Sequence, residues 1–260
     1  MATTVRKYPI GMQDFRNLRE GNFVYVDKTG FVYQLATNGT QIFLSRPRRF
    51  GKSLFISTLK YYFQGKKELF EGLKIAGLEK DWVEYPVFHI EFNLEAYIDL
   101  DSLKQALETN LMRLEDEWGA DERENSYASR FAGLIRRAAE KTGKRVVVLV
   151  DEYDKPLLAS MHDETLNEQY RMLLKGFYGV LKGEDTNLRF AFLTGVTKFS
   201  KVSIFSDLNQ LNDISMDREY AEICGISETE LKANFQSDIE ILATETRKSY
   251  DETVAELKRR

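Results

Sequence analysis

Short apolar runs along this chain alternate with longer stretches whose apolar residues return every three or four positions. The first run, QIFLS at 41–45, predicts a buried strand. LFISTLKYYFQG follows, with Leu54, Leu59, Tyr62 and Phe63 at helical spacing and Gly65 placed as a C-cap. PVFHIEF at 86–92 predicts a second strand. Residues 101–118 carry apolar positions at 103, 107, 111 and 114, one stripe of a helix, and a second helix is expected over about 126–141, ending at Gly143. RVVVLVDEYD at 145–154 has five consecutive apolar residues before two acids, the pattern of a strand covered on both faces. A helix near 165–182, a fourth strand at LRFAFLTGV (188–196) and a short fifth near LNDISM (211–216) complete the series. Ahead of it all, NFVYVDKT at 22–29 alternates aromatic and polar residues and predicts a short extended piece. A helix from Thr29 to Thr37 ends at Asn38-Gly39.

Strands alternating with helices predict an α/β fold, a parallel sheet with helices on both faces. From Gly225 the pattern becomes helical throughout. Ser227, with Glu230 three residues later, forms a capping-box signature. Residues 1–224 are therefore expected as the main domain, and 225–260 as the start of a C-terminal helical lid, truncated at the chain end.

Composition narrows the class without naming a function. Hydrophobic residues are 43% and charged residues 30% of 260, as in ordinary globular proteins. The net charge of −4 does not advertise nucleic-acid binding. One cysteine, Cys224, rules out an intramolecular disulfide and a cysteine-rich metal site, and the two histidines are too few for a histidine-rich one. No apolar run approaches the roughly 18–20 residues that span a bilayer, and MATTVRKYPIGMQDF lacks the apolar segment of a signal peptide. A cytoplasmic location with no membrane partner is expected.

The candidate chemistry begins at RPRRFGKS (46–53). Gly51-Lys52-Ser53 match the end of the phosphate-loop pattern G-x-x-x-x-G-K-[ST], but Arg46 stands where the first glycine belongs, and Pro47 removes one amide donor. Such a loop works by aiming backbone N–H groups and a helix N-terminus at an anion. The donors nearest the helix, around Phe50 to Leu54, survive the loss of that glycine. Lys52 would reach phosphate and Ser53 would hold Mg2+. A basic turn at a helix start is the competing reading. The acids of VVVLVDE strengthen the first reading: Asp151 and Glu152 fall at the carboxyl end of a buried strand, where open α/β sheets place ligands. In LTGVTK, Thr194 ends a strand and is placed to sense a γ-phosphate, with Thr197 and Lys198 after it; a plain glycine turn is the alternative. Arg48 and Arg49 are expected to neutralise phosphate, touch nucleic acid or a neighbouring subunit, with at least one in a structural salt bridge. His89 reads as a core histidine, Tyr61-Tyr62-Phe63 as core and helix surface, and KTGKR (141–145) as a solvated turn.

YPIGMQDF, NFVYVDKT, RPRRFGKSL, YPVFHIEF, VVVLVDEYDKP and LTGVTKFSKVSIFSDLNQLNDIS, in that order, make the chain resemble the AAA-ATPase-like domain family of bacteria. The resemblance spans nearly the whole chain, and RPRRFGKS is the family's usual form of the loop. It implies a three-layer αβα P-loop NTPase of the AAA+ type, with strand order 5-1-4-3-2 and a partial C-terminal lid. ATP or ADP with Mg2+ is the implied ligand. Arg49, Phe50, Gly51, Lys52, Ser53 and Leu54 would bind the nucleotide, and Ser53 and Asp151 the metal. Glu152 would act as catalytic base beside Lys52, with Thr194 as sensor. The segment with Tyr25 and Asp27 is set near the adenine without a role. Longer members carry a nuclease-like domain of the PD-(D/E)XK type; none is expected here, and no arginine finger or lid arginine stands out. Three functions follow: an ATPase, a slow nucleotide-dependent switch or scaffold for an effector domain or partner, and a nucleic-acid-binding module. Partners in view are the nucleotide, further copies of the chain, and nucleic acid or an effector domain in a longer chain.

Overall fold

The computed structural model describes residues 7–93, 96–197 and 211–259. Five parallel strands form one sheet: β1 (Gln41–Ser45), β2 (Val87–Glu91), β3 (Val146–Asp151), β4 (Leu188–Gly195) and β5 (Asn212–Asp213). Their spatial order is β2-β3-β4-β1-β5. Read from the other edge this is 5-1-4-3-2, the order the family resemblance implies.

The sheet is covered on both sides because its inner strands are apolar on both faces. In β3, Val146, Val148 and Val150 point into one core and Val147 and Leu149 into the other. Side chains alternate sides along a strand, so a run with no polar position must be covered twice. One cover consists of α4 (Leu100–Trp118), α5 (Tyr127–Thr142) and α7 (Glu164–Gly183), which bury Leu107, Leu111, Phe131, Leu134, Leu174 and Phe177. The other consists of α1 (Phe15–Glu20), α2 (Thr29–Asn38) and α3 (Lys52–Phe63), which bury Phe15, Val32, Leu35, Ile56, Leu59 and Phe63. A short α6 (Lys155–Ala159), with Pro156 in its first turn, follows β3.

The helix ends follow the expected chemistry. Ser126 caps α5 and Gly143 closes it in the left-handed region at φ 65°. Gly65, at φ 66°, follows the last turn of α3. Residues 22–29, expected as a short extended piece, carry no strand ladder beyond a single bridge between Lys7 and Phe23. Alternation shapes a strand only where a partner strand supplies the ladder, and among the described residues none runs alongside. The KTGKR turn is exposed throughout. His89 is largely buried, with Nδ1 3.2 Å from Oε1 of Glu91, and burial aided by Lys60 and Arg113 keeps the imidazole neutral.

The chain divides into two compact units, Met1–Cys224 and Gly225–Arg260. In the second, α8 (Glu228–Thr246) opens on a reciprocal capping box between Ser227 and Glu230. It breaks from helical geometry at Phe235 and pairs with α9 (Tyr250–Arg259). Among the described residues no helix is long and apolar enough to cross a membrane.

Candidate nucleotide site

The carboxyl ends of β1, β3 and β4 bring together RPRRFGKS, Asp151-Glu152 and Thr194, segments far apart in sequence. β4 lies between the other two strands, with Ser45 in register with Gly195 and Val150 with Leu193.

The loop after β1 is open to solvent from Pro47 to Gly51 and then dives into α3. Gly51 sits at φ 87°, a conformation only glycine adopts easily, and a Cβ there would meet nothing within 4 Å. The requirement is therefore backbone geometry. Arg49 also lies at positive φ, 66°. Among the described residues, none of the backbone N–H groups from Arg48 through Leu54 finds a hydrogen-bond acceptor, while that of Phe55 closes the first helical turn on Gly51. The result is a row of open donors at a helix N-terminus. Lys52 is 5% exposed. Its Nζ donates to the carbonyls of Arg46 (3.0 Å) and Pro47 (3.1 Å), which leaves one N–H of the ammonium uncommitted. Ser53 is partly exposed beside it.

Arg46 explains how the loop manages without its first glycine. Its guanidinium turns away from the loop mouth and donates to the carbonyls of Ser45 (3.0 Å), Ser215 (2.7 Å) and Tyr220 (2.9 Å). The Ser45 N–H donates in turn to Oγ of Ser215 at 2.9 Å. The arginine straps the loop's base to the segment after β5. Arg48 and Arg49 lie at the solvent-exposed loop tip, and among the described residues neither forms the expected ion pair.

The four residues of DEYD split into two jobs. Asp151 is 4% exposed and accepts from the hydroxyl of the fully buried Thr194 at 2.9 Å. Glu152 is half-buried with φ 52°. A non-glycine residue held there stores about 1–3 kcal/mol of strain. Burial raises its carboxyl above the ordinary range, Asp151 adds to that, and Lys155 and Lys52 oppose it. Tyr153 and Asp154 hold the neighbouring turn. The Tyr153 hydroxyl donates to the Thr197 carbonyl at 2.7 Å. Asp154, fully buried, accepts from the N–H groups of Val196 (3.0 Å) and Thr197 (2.7 Å) and from the Thr197 hydroxyl (2.8 Å). Gly195 is compulsory for this clamp: a Cβ there would stand 2.4 Å from the Tyr153 ring and 2.5 Å from Oδ1 of Asp154. Thr197 thus serves the clamp, and Lys198 lies outside the described residues.

Tyr25 and Asp27 have protein partners of their own. Tyr25 packs edge-on against Phe15 at 5.2 Å. Asp27 accepts from the Thr29 N–H and hydroxyl and from the Lys74 N–H. Residues that pattern reading passed over stand close to the loop: Lys28, whose Nζ donates to the Glu222 carbonyl at 2.7 Å, and Cys224, whose thiol burial pushes up to about 11 against the charges of Arg46, Lys52 and Lys28. Asp154 was in the quoted motif, but its role could not be read without the turn it clamps.

Among the described residues no group of three or more His, Cys, Asp or Glu could hold a metal ion by itself. A cation here would draw most of its ligands from phosphate and water, the habit of Mg2+. The donor set fits such a complex: open N–H groups and an ammonium for phosphate, one hydroxyl and one carboxylate for the ion.

The comparisons with known proteins agree with this geometry at the level of family. The chain belongs to the AAA-ATPase-like family, whose profile, described as "Predicted AAA-ATPase", matches residues 9–205. It is 45% identical over 236 residues to an "Uncharacterized protein in vnfD 5'region" of Azotobacter chroococcum mcd 1. The match covers 90% of this chain and 46% of that relative, so the chain spans less than half of its relative's length. No solved structure matches.

Proposed function

We propose that this domain is a P-loop NTPase of the AAA+ type that binds Mg·ATP at the carboxyl ends of β1, β3 and β4 and hydrolyses it to ADP and phosphate in the cytoplasm. The observation that carries this reading is the row of unpartnered N–H groups from Arg48 to Leu54 beside the buried Lys52 ammonium. Those groups, Arg49 and Phe50 among them, would cradle the phosphates, and the uncommitted N–H of Lys52 would reach the β- and γ-phosphates. Ser53 and Asp151 would hold Mg2+, which supplies charge neutralisation at the phosphates. Thr194 holds the Asp151 carboxylate in one orientation. Glu152 takes a proton from the attacking water, and its raised carboxyl makes it a better base than an ordinary glutamate.

A slow nucleotide-dependent switch is the second reading, and the Arg46 strap favours it. The strap connects the loop to Ser215 and Tyr220, a few residues before the helical unit begins at Gly225. Loop rearrangement would then reach an effector domain, a partner or a second copy of the chain.

Melting with and without Mg·ADP and Mg·ATP tests binding. A ligand at a hundred times its dissociation constant adds roughly 2.7 kcal/mol, a shift of several degrees that Lys52→Ala should remove. No shift in a nucleotide-free preparation would reject the site. Glu152→Gln should keep the shift and lose turnover, whereas a wild type that binds without turnover would select the switch.

A further inference from the structure

A second recess lies at the opposite end of the sheet from this cleft. It has a volume of about 240 Å3 and opens between the end of α2, the end of α3, the segment before β2 and the start of β4. Tyr33, Tyr62 and Tyr85 supply aromatic walls. Arg189 lies against the Tyr85 ring, 5.7 Å from its centroid, and uses Nη2 on the Ala36 carbonyl at 2.7 Å. Its Nε, its Nη1 and the second N–H of Nη2 meet no acceptor among the described residues, which leaves a two-nitrogen edge open. Glu79 is fully engaged: one oxygen accepts from the Tyr62 hydroxyl, the other from the N–H groups of Lys80 (2.8 Å) and Asp81 (2.9 Å). The Asp81 carboxylate is exposed at the rim and has no partner among the described residues.

These open valences select a ligand by charge. A simple anion would pair with Arg189 but face Glu79 and Asp81. A simple cation would find Asp81 and the tyrosine faces but meet Arg189. A zwitterion satisfies both ends. We propose that this recess binds a free α-amino acid, its carboxylate on the Arg189 fork and its ammonium toward Asp81 across the tyrosine rings. The volume matches a molecule of that size. The position adds a consequence. Arg189 lies at the start of β4, which carries Thr194 at its other end, and Tyr62 lies in the last turn of the helix that begins at Lys52. Two rigid elements therefore run from this recess to the candidate nucleotide cleft, which fits an effector site.

The test is melting and isothermal titration of the full chain with each of the twenty L-amino acids at millimolar concentration. At least one should raise the melting temperature and release or absorb heat. Its N-acetyl and its amide derivatives should lose the effect. Asp81→Asn, a change of an exposed side chain, should weaken binding about tenfold, the loss of one charge-assisted contact. Arg189→Lys, which keeps the charge and removes the fork, should weaken it similarly. Lys52→Ala should leave it unchanged, which separates this site from the nucleotide reading. No response to any amino acid overturns the proposal, as does a response that survives both acetylation of the amine and Asp81→Asn.

Discussion

Asp151 and Glu152 are neighbours in sequence with opposite surroundings. Asp151 is buried in the strand and receives a hydroxyl; Glu152 is swung out at φ 52° into a half-buried position. Strain of this kind persists where the surroundings over-determine it, here by the Tyr153 N–H on the Thr194 carbonyl and by the Asp154 clamp. If Glu152 is the base, it must be ionised to work. Its raised carboxyl then places the acid limb of the turnover profile above the ordinary carboxylate range, and activity falls as pH drops through it. A pH–rate profile with its limb at ordinary glutamate values would remove Glu152 from that role. Asp154 makes a different prediction. Asp154→Ala strands the Val196 and Thr197 donors in a buried turn, and the loss should be about 3 kcal/mol by urea unfolding. Nucleotide binding should weaken with it, because Thr194 sits in the strand that the clamp terminates.

At the scale of elements, the loop, α3 and the segment after β5 act as one assembly. Arg46→Gly restores the first glycine of the general phosphate-loop pattern, yet it removes three hydrogen bonds to carbonyls. It should accelerate hydrogen exchange across residues 211–224 while leaving α4 and α5 protected. Unchanged exchange would show that the strap is dispensable. In the helical unit, Ser227→Ala removes the N-cap of α8 and should cost about 1 kcal/mol, read as faster exchange in its first turn.

For the whole molecule, the decisive feature is a sheet buried on both faces by two separate cores. Leu149, fully buried in the inner strand β3, packs with the α1–α3 side. Leu149→Ala should lower stability by about 2–5 kcal/mol, through lost burial and the cavity left behind. A change under 1 kcal/mol would mean that the interior collapses around the gap. The chain covers 46% of its Azotobacter relative. What the proposed nucleotide turnover would drive is thus a question that extends beyond the part of the relative matched here.

Periodicity is a local signal, and by itself it determined most of the elements. The run at 146–150 is apolar on both faces, so its burial was legible before any contact was known. The stripe at 103, 107, 111 and 114 was equally legible as α4, and Ser227 with Glu230 as a helix start. Gly51-Lys52-Ser53 and Asp151-Glu152 could be picked out as candidates because phosphate loops and strand-end acids use residues adjacent in the chain. Short α1 and α6 escaped because one or two turns carry too little period. Tertiary structure alone decided the rest, since the partners are distant. Arg46 meets Ser215 across 169 positions, and Asp154 meets Thr197 across 43. Among the described residues Arg48 and Arg49 form no ion pair, and Tyr33, Asp81 and Arg189 share one recess only after the sheet has closed. A residue's type states which interactions it can make, but folding selects among them by bringing particular donors and acceptors within hydrogen-bond distance.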